Sequence, residues 1–424
     1  MSLPALFLRA KRKYCSDGAK PLVSEAGIKA VESKPIRALA RRTLLQQSTV
    51  LEQAQLRDTA PRHWECDPQN AFNPFDSEVP VPRKTRLPTS GSFDTLDTSL
   101  PTNPFVAELQ GVVLLAPSGL AITSDSKIVK DTIAPERSSN SRIEKILSRS
   151  IWYTGYRNTR KTVFTPEPNA DRSLSLATSL VPLWRNYYHW TLECLPKILG
   201  VETYREQTGE SPTILLPPDP SAWMRESLEL VGVDQSNVET LQPGTTRVDR
   251  FVVPLYPTPS RTECHWLRKR VHDGINVQEI TTGEYPSRIY ITRRNANVRR
   301  VKNERALLDV LSEYDVKPYA LETLTVAEQA RLFANADLVV SPHGAGLANL
   351  VYGTSPTVLE LFGDKEKTTF YRLAKLMGFE YHAMFCDHDK KDILVESEQL
   401  DEAIASVLSG DREPVLEACR PESE

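Results

Sequence analysis

Cysteine is scarce and scattered in this chain. Cys15, Cys66, Cys194, Cys264, Cys386 and Cys419 are the only six in 424 residues, and no two stand in a Cys-x-x-Cys spacing. That argues against a zinc ribbon and a disulfide-stapled scaffold and predicts reduced thiols. Charge of one sign is missing as well: 52 Lys and Arg face 55 Asp and Glu, for a net charge of −3. Without an overall basic field, nucleic acid is not an expected partner. No segment reaches the roughly 20 apolar residues of a membrane-crossing helix. The opening MSLPALFLRAKRKYC carries its cations after its short apolar run, unlike a signal peptide. A cytoplasmic protein is therefore expected. Residues 5–13 either form a plain charged terminus or lie peripherally on the anionic inner face of a membrane. Finally, neither Gly-x-x-x-x-Gly-Lys-Ser/Thr nor Gly-x-Gly-x-x-Gly occurs, so a P-loop or a standard nicotinamide site is not supported.

What is present suffices for packed cores. Hydrophobic residues make up 40% and charged residues 25% of the chain, a globular balance, and the length implies two or three domains. Residues 1–105 combine a helical stretch, 28–56, with a Pro-rich, turn-rich segment, 61–104, and read as an irregular extension. It can pack on the next domain, bind a partner or mediate self-association. From Gly111 strands and helices alternate. GVVLLA (111–116), PTILLP (212–217) and RFVVP (250–254) read as buried strands, with a helix over 222–231. A polar helical bridge over 262–277 leads to a second series. It comprises a strand at 288–292, a helix over 303–314, a strand at 316–319 and a helix opened by the capping box Thr325 to Glu328. A strand at 337–341, a Gly turn and a strand at 357–361 follow. Such alternation implies parallel, right-handed βαβ units. The expected fold is α/β: two Rossmann-like parallel-sheet domains, 106–265 and 266–410, facing a cleft, followed by a polar tail at 411–424.

The most telling segment is LVVSPHGAGLAN, residues 338–349. Gly344 and Gly346 permit a sharp strand-to-helix turn, and the first helix amides around His343, Gly344, Ala345 and Gly346 make an anion seat. An ordinary βα corner would read the same, so the neighbours decide. RRNANVRRVK gathers Arg293, Arg294, Arg299, Arg300 and Lys302 just past the strand 288–292, and in a parallel sheet the carboxyl ends of the strands share one rim. Planar guanidinium forks suit a pyrophosphate; a solvated basic loop is the alternative. Glu360, in TVLELF, can accept from ribose hydroxyls on that rim, or cap a helix or form an ion pair. In the first series, WRNYYHWTLECLPKI (184–198) places His189 and Glu193 four residues apart on one helical face. A carboxylate one turn away orients an imidazole, as a general base for a sugar hydroxyl requires; a structural pair at an interface is the other reading. Asp387 and Asp389, beside His388, could hold a divalent ion or simply form a surface turn, and no metal-ligand spacing stands out.

The ordered set NYYHWTLECLPKI, SRIYITRRNANVRRVKNE, LETLTVAEQARLFANADLVVSPHGAGLANLVYG and VLELF resembles glycosyltransferase family 61, over roughly residues 110–400 and most specifically over 287–361. The resemblance implies a GT-B architecture, with a nucleotide-sugar donor on the second domain and a glycan or glycolipid acceptor on the first. It implies inversion at the anomeric carbon with no cofactor and no essential metal, in surface polysaccharide or glycoconjugate synthesis. Carried onto this chain, it implies that Arg293, Arg294 and the loop from His343 to Gly346 hold the pyrophosphate with support from Asn349. Arg299, Arg300 and Lys302 would add phosphate contacts, Glu360 would meet the ribose, and His189 with Glu193 would face the acceptor. Another sugar-nucleotide enzyme, such as an epimerase or hydrolase, or a silent nucleotide- or glycan-binding relative, would fit the same pattern.

Overall fold

The computed structural model describes residues 34–66, 105–133, 141–166, 170–182, 184–254, 259–279, 284–364 and 367–409. The basic segment 5–13, most of the Pro-rich stretch and the tail 411–424 lie outside them. The single helix expected over 28–56 is broken in its described part. It becomes α1 (Lys34–Thr43), a 3-10 turn (Leu45–Gln47), β1 (Thr49–Leu51) and α2 (Gln53–Thr59). The β-branched Thr49 and Val50 favour extended backbone, and β1 is fixed by parallel pairing with residues 127–129.

The first series continues through β2 (Arg62–Glu65), β3 (Phe105–Leu115), β4 (Leu120–Ile122), β5 (Lys127–Val129), α3 (Ser141–Thr154), α4 (Tyr156–Phe164) and β6 (Arg172–Ser179). It then runs through α5 (Lys197–Thr208), β7 (Thr213–Leu216), α6 (Ala222–Leu230), β8 (Val238–Thr240) and β9 (Thr245–Pro254). These strands form one nine-stranded sheet in the order β1-β5-β4-β3-β9-β6-β7-β8, with β2 beside β3. Strands β9, β6, β7 and β8 are parallel, with α5 and α6 as crossovers. The expected strand 111–116 is the second half of β3, which runs antiparallel to β9 and β4 and extends the parallel part of the sheet. Chain order reverses between β6 and β9, so a crevice opens past their carboxyl ends.

The connecting helix α7 (Arg261–Gly274) starts with a capping box between Ser260 and Glu263. The second series then runs β10 (Arg288–Ile291), α8 (Glu304–Glu313), β11 (Lys317–Tyr319), α9 (Val326–Asn335), β12 (Leu338–Pro342), β13 (Thr357–Phe362), α10 (Thr369–Met377) and β14 (Tyr381–Phe385). The hairpin β15 (Asp387–Asp389) and β16 (Asp392–Leu394) and helix α11 (Ser397–Ser409) follow. Its five-stranded sheet is parallel throughout, in the order β11-β10-β12-β13-β14. The capping box at Thr325 and Glu328 forms as expected.

The three inner strands β10, β12 and β13 are largely buried and mostly apolar, because both faces of the sheet are covered. Val339 and Val358 pack toward α7, α9 and α10, while Val340, Leu359 and Leu361 pack toward α8 and α11. The first of these clusters is continuous with the other half of the molecule, joining Trp190, Leu192, Ile198 and Leu228 to Trp266, Ile289, Phe333, Leu347 and Phe370. Buried side chains of this size each contribute about 1.5–3 kcal/mol. The two halves therefore share a core. Among the described residues no helix is long and apolar enough to cross a membrane, and Cys66, Cys194, Cys264 and Cys386 are free thiols.

Two histidines of α7 make this arrangement sensitive to acid. Burial first, then the charges of Arg268 and Arg261, push His265 down to about 4. Burial also lowers His272, whose Nε2 donates to the Tyr352 carbonyl at 2.7 Å. An unfolded histidine takes up its proton near pH 6.5, so between that pH and about 4 protons favour the unfolded chain. The thermal unfolding midpoint should fall as pH drops from about 7 toward 4, and His265→Gln should flatten that fall. A variant that tracks the wild-type curve would show that His265 is not responsible.

Candidate active site

In the order β11-β10-β12-β13-β14 the chain leaves β10 to one side and returns for β12 on the other, so the switch point lies between these two strands. The segments leaving their carboxyl ends are the basic run and the loop from His343 to Gly346. They touch. A Cβ placed on Gly344 would fall 1.9 Å from Arg293 Nη1 and 2.7 Å from its Cζ, so the guanidinium fills the space the glycine leaves. Gly344 has extended backbone, φ −178°, and close approach is what requires the missing side chain. A Cβ on Gly346 would meet Leu321 at 2.9 Å and Ile291 at 3.4 Å. Both glycines thus make room for the protein's own side chains, where the sequence suggested room for a ligand. The helix after the turn, Ala345–Tyr352, is 3-10. Its first bond runs from the Leu347 amide to the Gly344 carbonyl at 3.0 Å, which leaves the amides of the partly exposed Ala345 and Gly346 ahead of it.

The five cations divide into two groups. Arg294 is directed to Thr292 and to Glu304, 3.7 Å away. Arg300 holds Asp392 at 2.6 Å, and Lys302 pairs with Asp389. These three have carboxylate partners within the protein. Arg293 and Arg299 form no ion pair among the described residues, and the Nε of each is buried without a hydrogen-bond partner. Arg293 donates Nη2 to the Val298 carbonyl at 3.1 Å. Burial, reinforced by repulsion from Arg299, pushes its guanidinium down to about 10, still cationic at neutral pH. Burial also lowers Arg299, against the pull of Glu360 and Asp364. Arg299 holds left-handed backbone, φ 58°, a conformation of about 1–2 kcal/mol cost that clusters at functional sites. Two adjacent, partly buried cations with no ion-paired carboxylate among the described residues make a candidate anion site.

Glu360 takes the paired alternative, with a histidine as its partner. It is fully buried, one oxygen meeting His343 Nδ1 at 2.5 Å and the other accepting from the Tyr381 hydroxyl at 2.5 Å. On β13 the residues Val358, Glu360 and Phe362 share a face, and that face turns inward under the loop. A carboxylate with both oxygens engaged is not set to receive ribose hydroxyls, and its evident task is to orient His343. The ring is also packed by Phe362 and Phe370, with centroids 5.6 and 5.2 Å away. Its Nε2 has no hydrogen-bond partner among the described residues. Asn349 is likewise fully buried. It accepts from the Tyr187 hydroxyl at 2.7 Å and donates to Gln329 Oε1 at 2.8 Å and to the Gly346 carbonyl at 3.0 Å. It braces the loop from behind and does not face the crevice.

In the other half, β6 ends at its own switch point and leads to Trp184. Asn186 caps the following turn by accepting from the His189 amide at 3.1 Å. Trp190–Cys194 then forms a π-turn, a feature frequent at functional sites, in place of the regular helix expected. His189 Nδ1 meets Glu193 Oε2 at 2.8 Å, as the spacing predicted. With Nδ1–H donated to the carboxylate, Nε2 keeps its lone pair. Trp184 lies against the imidazole at 4.6 Å and Tyr188 meets it edge-on at 5.1 Å. Tyr188 in turn meets Phe370 at 5.8 Å, the ring that packs on His343. The two imidazoles therefore stand on opposite sides of one aromatic contact between the halves. Trp184, Tyr187, Phe370 and Tyr381 were not singled out from sequence; only Trp184 and Tyr187, within the WRNYYHW run, carried a local signal. Among the described residues no three His, Cys, Asp or Glu side chains gather as a metal group would.

Gly344→Ala should displace the Arg293 guanidinium, the end of a flexible side chain, and weaken inorganic pyrophosphate binding by about tenfold with little change in thermal midpoint. Gly346→Ala, pressing on Leu321, should lower the midpoint more. The opposite pattern in calorimetry and thermal melts would place the anion seat elsewhere.

The family described as Glycosyltransferase 61 matches residues 187–359, from the turn that carries His189 to β13. Among curated proteins, an EGF domain-specific O-linked N-acetylglucosamine transferase of Gallus gallus is 27% identical over 138 residues, 30% of this chain and 26% of that protein. The Mus musculus protein of the same name is 29% identical over 138 residues, with the same shares. That of Drosophila melanogaster is 32% identical over 96 residues, 22% of this chain and 18% of its own length. The similarity thus spans about a quarter or less of these relatives. Over residues 187–359, which include His189, Glu193, Arg293, Arg299 and His343, this chain is similar to glycosyltransferase family 61.

Proposed function

We propose that this protein is an inverting glycosyltransferase that moves a sugar from a nucleotide-sugar donor to a hydroxyl of a glycan or other acceptor. The observation that carries the reading is the pair of unneutralised guanidiniums, Arg293 and Arg299, set beside His343 at the switch point and across an aromatic contact from the His189–Glu193 pair. The acceptor hydroxyl gives its proton to His189 Nε2, and Glu193 stabilises the imidazolium that results. The freed oxygen bonds to the anomeric carbon as the bond from that carbon to the diphosphate breaks, so a single displacement inverts the centre. The departing diphosphate gains negative charge, which meets Arg293, Arg299 and the Ala345 and Gly346 amides. Fixed charges placed this way do what a divalent ion does elsewhere, which supports a reaction with no essential metal or cofactor.

The relatives are named for transfer of N-acetylglucosamine to EGF domains, and the same general reaction, with donor and acceptor of this chain's own, is the activity proposed here. Free thiols at Cys66, Cys194, Cys264 and Cys386 support a reducing, cytoplasmic setting, and surface polysaccharide or glycoconjugate synthesis is the process proposed.

Screening nucleotide sugars should reveal one donor whose nucleoside diphosphate is released faster when a glycan acceptor is added. His189→Ala should lower kcat by about 10² or more with donor KM little changed, while Arg293→Ala and Arg299→Ala should mainly weaken the donor. Acceptor-independent turnover would instead indicate an epimerase or hydrolase, and no release with any donor a binding module. Either result would contradict the proposal.

A further inference from the structure

We infer that the wall beside His189 is a subsite for an anionic group, a carboxylate or a phosphate, carried by the acceptor close to its attacking hydroxyl. The inference rests on the reading of His189 as the base.

Arg142 and Lys145 stand three residues apart on α3 and so share a face. Both reach Trp184, the Arg142 Cζ lying 4.6 Å and the Lys145 Nζ 5.4 Å from its ring centre. Arg185, next in the chain, adds a third cation; its Nη2 donates to the Asp219 carbonyl at 2.9 Å. Burial lowers Arg185 from its ordinary value; Asp219 opposes that shift and Arg149 adds to it. None of these three cations forms an ion pair among the described residues, and Arg142 Nη1 is buried with no hydrogen-bond partner. The carboxylate of α3 that could neutralise them, Glu144, is taken by Arg37 at 3.0 Å, and Glu193 is held by His189.

A ring beneath a cation is worth about 0.5–1 kcal/mol at partly exposed sites and does not cancel its charge. Cations gathered without counter-charge create a local field that attracts an anion. The position specifies which anion. Trp184 is common to both groups, its ring centre 4.6 Å from the Arg142 Cζ and 4.6 Å from the His189 ring, so an acceptor sugar lying against this ring can meet the imidazole and the cations together. The donor's diphosphate already has its cations on the second sheet, so the group met here belongs to the acceptor.

The experiment is calorimetric titration of the full chain with three matched disaccharides, ending in galactose, galacturonate or galactose 6-phosphate, at low and high salt. At least one charged sugar should bind about tenfold more tightly than the neutral one, and the carboxylate and phosphate arms show which anion is preferred. Salt should shrink the advantage. The variant Arg142→Gln/Lys145→Gln should lose it while binding inorganic pyrophosphate like the wild type, which also certifies its fold. Equal or undetectable binding of charged and neutral sugars, or a preference that survives the double substitution, overturns the inference. So does a fall in pyrophosphate affinity in that variant, which would assign these cations to the donor. Binding is read without turnover, so failure of the transferase reading would show in donor assays and not here.

Discussion

The Arg293 guanidinium lies where Gly344 has no side chain, with Arg299 beside it and, among the described residues, no carboxylate paired with either. Keeping two cations together in a crevice is unfavourable, so the surrounding structure has to hold them. The outward members of the same run do this. Arg300 grips Asp392, Lys302 grips Asp389, and Val301 bridges to Ile393, while the Arg299 amide donates to the Lys391 carbonyl at 2.9 Å. Each exposed pair is worth at most about 1 kcal/mol, yet together they fasten the run to the β15–β16 hairpin. That anchoring keeps Arg299 in left-handed backbone and turns its side chain inward. The run is thus a clamp with an outer hinge and an inner jaw.

The jaw is coupled to the base through the middle of the molecule. Tyr187, two residues before His189, donates to Asn349, and Asn349 braces the carbonyl of Gly346. Tyr188, Phe370 and His343 form a second, aromatic route between the same two places. Beneath both lies the apolar cluster shared by the halves. The proposed proton acceptor and leaving-group site, reached from separate sheets, would be held at a set separation by these links, and orientation of this kind contributes strongly to a bimolecular displacement.

The features legible in sequence were local ones. Helix period and the Thr325–Glu328 box gave α9, short apolar runs gave the parallel strands β10, β12 and β13, and four-residue spacing gave the His189–Glu193 contact. What resisted was pairing at a distance. Which of five adjacent cations would find a carboxylate depended on Asp389, Asp392 and Glu304, and Glu360 met His343 and Tyr381 because β13 lies between β12 and β14. Strand β6 escaped although its RSLSLATS start alternates plainly between exposed and less exposed positions. The length of β3 was hidden because Gly111, at φ 63°, interrupts its apolar pattern without ending the strand.

The central claim is that the unpaired guanidiniums of Arg293 and Arg299 form a diphosphate seat. Its most direct test is calorimetric binding of a nucleoside, its monophosphate and its diphosphate, across the common bases, to wild type and to Arg293→Met/Arg299→Met. The account predicts that affinity for one base rises stepwise to the diphosphate by about tenfold or more per step, and that the double variant abolishes the rise. Equal affinity for nucleoside and diphosphate in the wild type, or an undiminished diphosphate preference in the variant, would contradict it.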